Sequence, residues 1–253
     1  MIHLEQYGAG ARPYVALHGW GGSHLTFAPL APFVPQDARL YAADLPGYGR
    51  SPRPGTPSAD EVAATLTSAL DRVPGSELTL IGNCSGAIFA LLVAALAGGR
   101  VARLVLIDPF AFVPWYFKVF INPTYGRYAY YSTFANPLGR WLTNTSLRSK
   151  RTASSDLTGS FREIDHEVSL AYLEMLDALG GVTRFSSIRT PTDIAYGERT
   201  FGAVKQSLDD WRRVLPHARL WRIDGAGHLP IEEAPELVAS LVFDAPRASG
   251  RAA

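Results

Sequence analysis

Short apolar segments alternate with longer helical patterns along most of this chain, and that alternation constrains the fold more than any other feature. Six segments rich in β-branched or aromatic residues are predicted strands: residues 14–17, 39–43, 78–81, 101–107, 192–196 and 218–223. Four segments have helical patterns: residues 59–72, 85–97, 201–214 and 235–243. Strands that are almost entirely apolar are typical of a parallel sheet covered by helices on both faces. The sequence therefore predicts an α/β fold.

One long segment interrupts the alternation. Residues 110–185 contain no predicted strand, and residues 110–141 hold 12 of the 28 aromatic side chains in the chain. An insertion after the carboxyl end of a strand lies over the sheet edge where α/β proteins bind ligands. We predict a core over residues 1–109 and 186–244, a helical cap over 110–185 and a flexible tail over 245–253. The aromatic residues indicate either the core of the cap itself or a lipophilic acyl pocket.

Composition excludes several classes of protein. With 253 residues, 47% of them apolar, the chain is large enough to bury a sizeable core. A formal charge of +1 gives no broad positive field for nucleic acid, and a single cysteine excludes an internal disulfide or a Cys-rich zinc site. Neither a signal peptide nor a long apolar span is visible. We expect a cytoplasmic protein with no cofactor, no metal, and no nucleic-acid or membrane partner.

A cysteine flanked by glycines follows the predicted strand 78–81. Residues 82–86 read GNCSG, and the apolar helix pattern starts within them. In the pattern Gly-x-nucleophile-x-Gly, small flanking residues let a strand turn sharply into a helix and lift the central side chain above the sheet. That side chain is Cys84, and a helix N-terminus favours its anionic form. We predict that Cys84 is a nucleophile; the alternative is a small buried hydrophobic residue.

Ser85 is the rival nucleophile in this turn. Shifting the pattern by one residue puts Asn83 and Ala87 at the flanking positions, which suit a tight turn less well than Gly82 and Gly86. We therefore favour Cys84, and we expect the backbone amide of Ser85 to face a developing oxyanion.

Two further loops are predicted at the same edge of the sheet. Residues 18–22 (HGWGG) follow the first predicted strand, and no Gly-Lys-Ser/Thr sequence follows that would indicate a phosphate loop. Residues 225–228 (GAGH) follow the last strand, which brings His228 to the edge where a base can reach Cys84. Of the other histidines, His24 is a minor candidate because it lies close to the HGWGG turn.

With these motifs in place, the chain resembles the α/β-hydrolase fold superfamily. The resemblance rests on five motifs in the order of that superfamily: HGWGG at 18–22, DLPGYGRS at 44–51, GNCSG at 82–86, PTDIAYGE at 191–198 and GAGHLPIEEAPE at 225–236. It implies a nucleophile, an acid and a histidine in that order along the chain. It also implies an oxyanion hole formed by the backbone amides of Trp20 and Ser85.

The chain departs from the superfamily pattern at two positions. Cys84 stands where most members have serine, and Thr200 stands where the acid usually follows the penultimate strand. Asp108 follows the strand 101–107, at the other strand end from which some members supply the acid. We therefore assign a Cys84–His228–Asp108 triad, with Glu198 as the reserve acid. The alternative for Asp108 is an ordinary turn residue before Pro109.

Such a triad implies acyl chemistry through a thioester on Cys84. The leading hypothesis is thioesterase- or esterase-type hydrolysis of a small-molecule acyl ester or thioester. An acyltransferase or cyclase, which passes the acyl group to an acceptor other than water, is the first alternative. A non-catalytic binding protein is the second, because the usual acid is absent at Thr200.

The predicted cap also carries a biased set of charges. Residues 110–154 include no acidic side chain but six basic ones: Lys118, Arg127, Arg140, Arg148, Lys150 and Arg151. This bias indicates either a docking surface for an acyl carrier protein or coenzyme A, or simply a solvated basic face.

Overall fold

A seven-stranded sheet forms the centre of the computed structural model, which describes residues 1–55 and 58–244. The strand order is β1-β3-β2-β4-β5-β6-β7. β1 pairs antiparallel with β3, and every other neighbouring pair is parallel. The strands are β1 Leu4–Gly8, β2 Arg12–Leu17, β3 Ala38–Ala43, β4 Leu78–Asn83, β5 Val101–Ile107, β6 Thr192–Gly197 and β7 Arg219–Ile223.

Nine α-helices are assigned in the described residues, together with 3₁₀ turns over His24–Phe33. The helices are α1 Ala59–Ala69, α2 Gly86–Leu96, α3 Trp115–Lys118, α4 Gly126–Tyr130, α5 Pro137–Ser146, α6 His166–Ala178, α7 Gly202–Val214, α8 Pro230–Glu233 and α9 Pro235–Phe243. None of the helices in residues 1–55 and 58–244 is long and apolar enough to cross a membrane.

The predicted α/β fold is confirmed, and all six predicted strands are present. The sequence did not indicate β1, which reads LEQYG and has no fully buried residue. As an edge strand with one neighbour, it needs no continuous apolar run. The four helix patterns also form helices, although the first ends in a 3₁₀ turn after Ala69. The predicted tail over 245–253 lies outside the described residues.

Apolar side chains cover both faces of the sheet. One face packs against α1 and α2, while the other packs against α9 and the 3₁₀ turns at 24–33. Successive side chains of a strand point to opposite faces, so neighbouring residues enter different clusters: Leu80 belongs to the first and Ile81 to the second. Because both faces are covered, the polar carboxyl ends of the strands are where a site can form.

The proposed cap, residues 110–185, contains α3 to α6 and no strand. Its aromatic side chains divide into three groups instead of forming a single stripe. Tyr130, Phe134 and Phe161 form a buried cluster. Phe110 and Phe117 line a cleft above the sheet. A third group is exposed to solvent and includes Trp115, Tyr128 and Trp141.

Candidate active site

Cys84 lies at the tip of a tight turn between β4 and α2. Its φ of +52° is in the left-handed region, which a residue with a side chain rarely adopts. A Cβ at Gly82 would lie 2.5 Å from Ala87 Cα, and one at Gly86 would lie 2.3 Å from the carbonyl oxygen of Leu17. Both flanking positions therefore need glycine, and the structure centres the turn on Cys84.

Ser85 occupies the next position and has ordinary helical backbone angles, with a φ of −66°. Its hydroxyl is buried and has no hydrogen-bond partner among the described residues. The strained position at the tip of the turn thus belongs to Cys84, while Ser85 is the residue directly before α2.

Asp108 follows β5 directly, and the structure buries it completely. Its φ of +49° is also in the left-handed region, which marks a second strained position in the site. The backbone amide of Gly197 donates to Asp108 Oδ1 at 2.9 Å, while Oδ2 lies 2.8 Å from His228 Nδ1. Because this carboxylate receives fixed donors, it can orient the imidazole and stabilise its protonated form.

His228 lies in the loop between β7 and α8. Its backbone amide donates to the carbonyl of Lys150 at 2.7 Å, so a residue of the proposed cap fixes this part of the loop. The rings of Phe110 and Phe201 lie edge-on to the imidazole, with centroid distances of 5.4 and 4.6 Å. These contacts hold the ring over the sheet edge.

The charge state of His228 follows from its partners. Burial by itself lowers the pKa of His228, but hydrogen bonds with Asp108 and Cys84 outweigh it and raise the pKa to about 10. His228 is therefore protonated at neutral pH. Since Nδ1 faces Asp108, the other ring nitrogen, Nε2, is left for Cys84.

Thr200 is a site residue whose role sequence reasoning missed. Its hydroxyl lies 2.5 Å from Asp108 Oδ2 and 3.1 Å from His228 Nδ1. The residue at the usual acid position thus donates to the carboxylate that comes from β5. The reserve acid, Glu198, instead accepts the amide of Gly225 at 2.9 Å on the exposed side of the loop. The sequence signal for this role was a hydroxyl-bearing residue at position 200. The carboxylate that it contacts, that of Asp108, is 92 residues away along the chain.

Replacing Thr200 with Val tests this contact. We expect kcat/KM for an ester substrate to fall about tenfold, because a hydrogen bond to a charged group contributes about 1.5 kcal/mol or more. Thr200→Ser retains the hydroxyl and should restore most of the loss. Equal losses in the two variants would indicate that packing of the methyl group, and not the hydrogen bond, is what matters.

The HGWGG turn lies against Cys84. Burial lowers the pKa of His18 to about 4, so its imidazole is neutral. Its Nδ1 lies 2.8 Å from the carbonyl oxygen of Gly19, and its Nε2 accepts the amide of Leu45 at 3.0 Å. A Cβ on Gly19 would lie 2.8 Å from Cys84 Cβ, so only glycine allows this approach.

The backbone amides of Trp20 and Ser85 are the predicted donors of the oxyanion hole. Within residues 1–55 and 58–244, neither amide has a hydrogen-bond acceptor. The Trp20 side chain is fixed separately, because its indole donates to the carbonyl of Ser169 at 2.7 Å. Two unoccupied donors on the loops beside Cys84 are what an oxyanion hole needs.

A cleft opens beside Cys84 and encloses about 620 Å³ of space, part of it open to solvent. None of the described residues that line it is charged. Most of the lining side chains are aliphatic or aromatic. The aliphatic ones include Ile88, Leu173, Leu176, Leu179 and Val182, and the aromatic ones include Phe110, Phe112 and Phe117.

The minor candidate, His24, is engaged elsewhere. Its Nδ1 lies 2.9 Å from both oxygens of the Asp44 carboxylate, and its backbone amide donates to the same group at 2.7 Å. Both residues are buried. This pair braces the turn after β3, and the structure does not bring His24 to Cys84.

Most of the basic side chains of the proposed cap are engaged within the protein. Lys118 pairs with Asp177 and Arg127 with Glu167. Arg140 and Arg151 donate to nearby backbone carbonyls, and Lys150 Nζ lies 3.5 Å from the carbonyl of Thr200. Arg148 is exposed and has no ion-pair partner among the described residues. Two of the six positive charges, those of Lys118 and Arg127, are thus neutralised by acidic partners.

Comparisons with known proteins give a consistent result. A family model described as "alpha/beta hydrolase fold" matches residues 13–235. A pimeloyl-[acyl-carrier protein] methyl ester esterase from Aromatoleum aromaticum is 27% identical over 252 residues, which cover 92% of this chain and 97% of that protein. A protein of the same name from Sodalis glossinidius is 37% identical over 106 residues, only 42% of this chain and 40% of that protein.

Among solved structures, the enol-lactonase from Burkholderia xenovorans has a similar fold. Its TM-score is 0.76, and the match covers 96% of this chain and 95% of that one. The sequences are 16% identical, so this likeness concerns the fold alone.

Proposed function

The chain belongs to the α/β-hydrolase family, and from that premise we propose that it is an esterase-type hydrolase that forms an acyl thioester on Cys84. The observation that carries the proposal is the arrangement of three side chains from three strand ends. Cys84 follows β4, Asp108 follows β5 and His228 follows β7. The order nucleophile, acid and base along the chain, with an imidazole between thiol and carboxylate, is that of a hydrolase triad.

Acylation begins from the ion pair of a Cys84 thiolate and protonated His228, in which the proton is already on the imidazole. The thiolate attacks the carbonyl carbon of the ester, and the electron pair of the carbonyl moves to its oxygen. The amides of Trp20 and Ser85 then donate to this oxyanion, and each donor contributes about 3–4 kcal/mol in comparable sites. Collapse of the tetrahedral intermediate expels the alkoxide, which takes the proton from His228. The acyl thioester on Cys84 remains.

Deacylation uses the same groups in reverse. His228 removes a proton from water, and the resulting hydroxide attacks the thioester carbon. The second oxyanion accepts hydrogen bonds from the same two amides. Collapse of this tetrahedral intermediate releases the carboxylic acid and the Cys84 thiolate. Asp108 holds Nδ1 throughout and stabilises the imidazolium whenever it forms.

The apolar lining of the cleft favours a substrate with an apolar acyl group. Its lining residues contribute aliphatic and aromatic carbon and no charge, so a charged group beyond the acyl carbon would lose its hydration without gaining a partner. An uncharged aliphatic or aryl acyl ester is therefore the substrate class that we propose. The relatives from Aromatoleum and Sodalis are named for an ester carried on an acyl carrier protein, which makes a carrier-bound acyl ester one member of this class.

Intact-protein mass spectrometry tests the proposal. The protein is exposed to a panel of neutral acyl esters and thioesters of increasing chain length, with hemiesters of dicarboxylic acids as charged counterparts. We expect a mass increase equal to the acyl group, cleavable by hydroxylamine, and release of free acid. Because the chain contains one cysteine, a thioester adduct maps to Cys84. If no panel member gives either an adduct or free acid, the hydrolase proposal is wrong.

A further inference from the structure

Two histidines and a glutamate come together at the edge strand of the sheet, outside the lining of the cleft. One ring nitrogen each of His3 and His24 and one carboxylate oxygen of Glu5 all lie within 4.8 Å of one another. His3 Nε2 is 3.3 Å from Glu5 Oε2. Two imidazoles and one carboxylate form a ligand set that zinc and related divalent metal ions take in proteins.

The backbone brings these side chains together for local reasons. Glu5 lies in β1 and His3 directly precedes that strand, so the two side chains, two residues apart, point to the same face. The carbonyl of His3 accepts the amide of Asp44 at 3.1 Å, and its amide donates to Ser51 Oγ at 2.9 Å. His24 begins the 3₁₀ turns at 24–33 and supplies the third side chain from a separate segment.

Asp44 orients the imidazole of His24. Both oxygens of this buried carboxylate lie 2.9 Å from His24 Nδ1. A proton on Nδ1 satisfies that contact and leaves the lone pair of Nε2 free. A carboxylate behind the imidazole is the usual outer partner of a metal-binding histidine, because it fixes both the tautomer and the direction of the ring.

The spacing of the three side chains suits a tetrahedral ion. Metal–ligand bonds of about 2.1 Å put the ligand atoms about 3.4 Å apart and two bound imidazole centroids about 5 Å apart. The ring centroids of His3 and His24 are 5.1 Å apart. Glu5 Oε2 also lies 3.3 Å from Arg50 Nη1, but the Arg50 side chain is 66% exposed and can turn into solvent. Glu5 is itself partly exposed, so rotation of its side chain can close the remaining separation.

We propose that His3, Glu5 and His24 bind a divalent transition-metal ion of the zinc type, with water completing its coordination. This goes beyond the expectation from sequence, which gave no metal. The ion would join the edge strand to the segment that follows the HGWGG turn, so its binding should stabilise the folded chain. The proposal does not rest on the proposed function, because none of the three residues belongs to the triad or lines the cleft.

Calorimetric titration with Zn²⁺ tests the proposal. The full chain carries Cys84→Ala, because the thiolate and imidazole of the triad could themselves bind zinc. We expect one ion per chain with a Kd of about 10 μM or lower. At a hundredfold excess over Kd, the unfolding midpoint should rise by about 5–10 °C. Mg²⁺ should produce neither effect, because it prefers oxygen ligands.

Glu5→Gln and His3→Asn, each in the Cys84→Ala protein, remove one ligand at a time. Each should weaken zinc binding about a hundredfold or more, since loss of even an outer partner costs about 10- to 100-fold. His217→Asn is the matched control. His217 is an exposed histidine outside the site, with Nε2 3.0 Å from the carbonyl of Thr190. This variant should bind zinc like the Cys84→Ala protein.

The unfolding midpoint of each variant without metal shows whether it is folded. If a ligand variant is unfolded, the visible spectrum of Co²⁺ bound to the Cys84→Ala protein decides. Bands of a tetrahedral site with nitrogen and oxygen ligands support the proposal, and the weak bands of octahedral hydrated Co²⁺ overturn it. The proposal is also overturned if the Cys84→Ala protein binds no zinc, if the folded Glu5 and His3 variants bind zinc as it does, or if His217→Asn loses as much affinity as they do.

Discussion

Replacing Cys84 with Ala should lower kcat/KM for an acyl ester by about ten-thousand-fold or more and abolish the acyl adduct. A triad acts as a unit, so removing the nucleophile leaves only binding and the oxyanion amides. Steady-state turnover and intact mass of the same preparation measure both effects. The fold should tolerate the change, because Ala keeps the Cβ at the strained φ of +52°.

Ser85→Ala is the control for the neighbouring hydroxyl. The Ser85 hydroxyl has no partner among the described residues, and its backbone amide is retained in the variant. We expect kcat/KM to fall by less than about tenfold, since only a neutral hydroxyl is removed. If Ser85→Ala were the inactive variant and Cys84→Ala the active one, the nucleophile would be Ser85. If Cys84→Ala kept full activity or full ligand-dependent function, a non-catalytic binding role would replace the hydrolase proposal.

Replacing Asp108 with Asn should lower kcat/KM by about a thousand- to ten-thousand-fold. The amide of Asn cannot stabilise the imidazolium and favours the wrong tautomer of His228, an effect known to be of this size in triads. The variant should also lower the pKa of His228 from about 10, because one of the hydrogen bonds that raise it is lost. An NMR titration of the imidazole measures this shift directly.

Glu198→Gln is the matched control for Asp108→Asn. Within the described residues, Glu198 accepts a hydrogen bond from Gly225 and makes none with His228. We expect its kcat/KM to stay within about twofold of the unmodified protein, as for most exposed substitutions. Loss of activity in Glu198→Gln, with activity retained in Asp108→Asn, would transfer the acid role to Glu198.

The local turns of the site were predictable because their causes are local. The GNCSG turn needs glycine on both sides of Cys84 for lack of space, and that requirement is visible in five consecutive residues. The parallel sheet followed from apolar strands that alternate with helices. Only β1 was missed, because an edge strand of LEQYG carries no continuous apolar run.

The partners of the predicted side chains were not predictable in the same way. The contact of Thr200 with Asp108 spans 92 positions, and Lys150 holds the His228 backbone from 78 positions away. No pattern in neighbouring residues indicates such pairs, because they depend on how separate elements pack. The same holds for the basic residues of the proposed cap, where acids at 167 and 177 neutralise two of the cations.

The sequence by itself thus determined the six parallel strands, the glycine-bounded turn around Cys84 and the chain positions of Asp108 and His228, because strand patterns and tight turns depend on adjacent residues. Only the tertiary structure decided that Thr200 donates to the acid instead of replacing it. It also decided which aromatic residues are buried, which line the cleft and which are exposed. Those distinctions arise when distant elements pack together, since burial and hydrogen-bond partners are properties of the assembled fold.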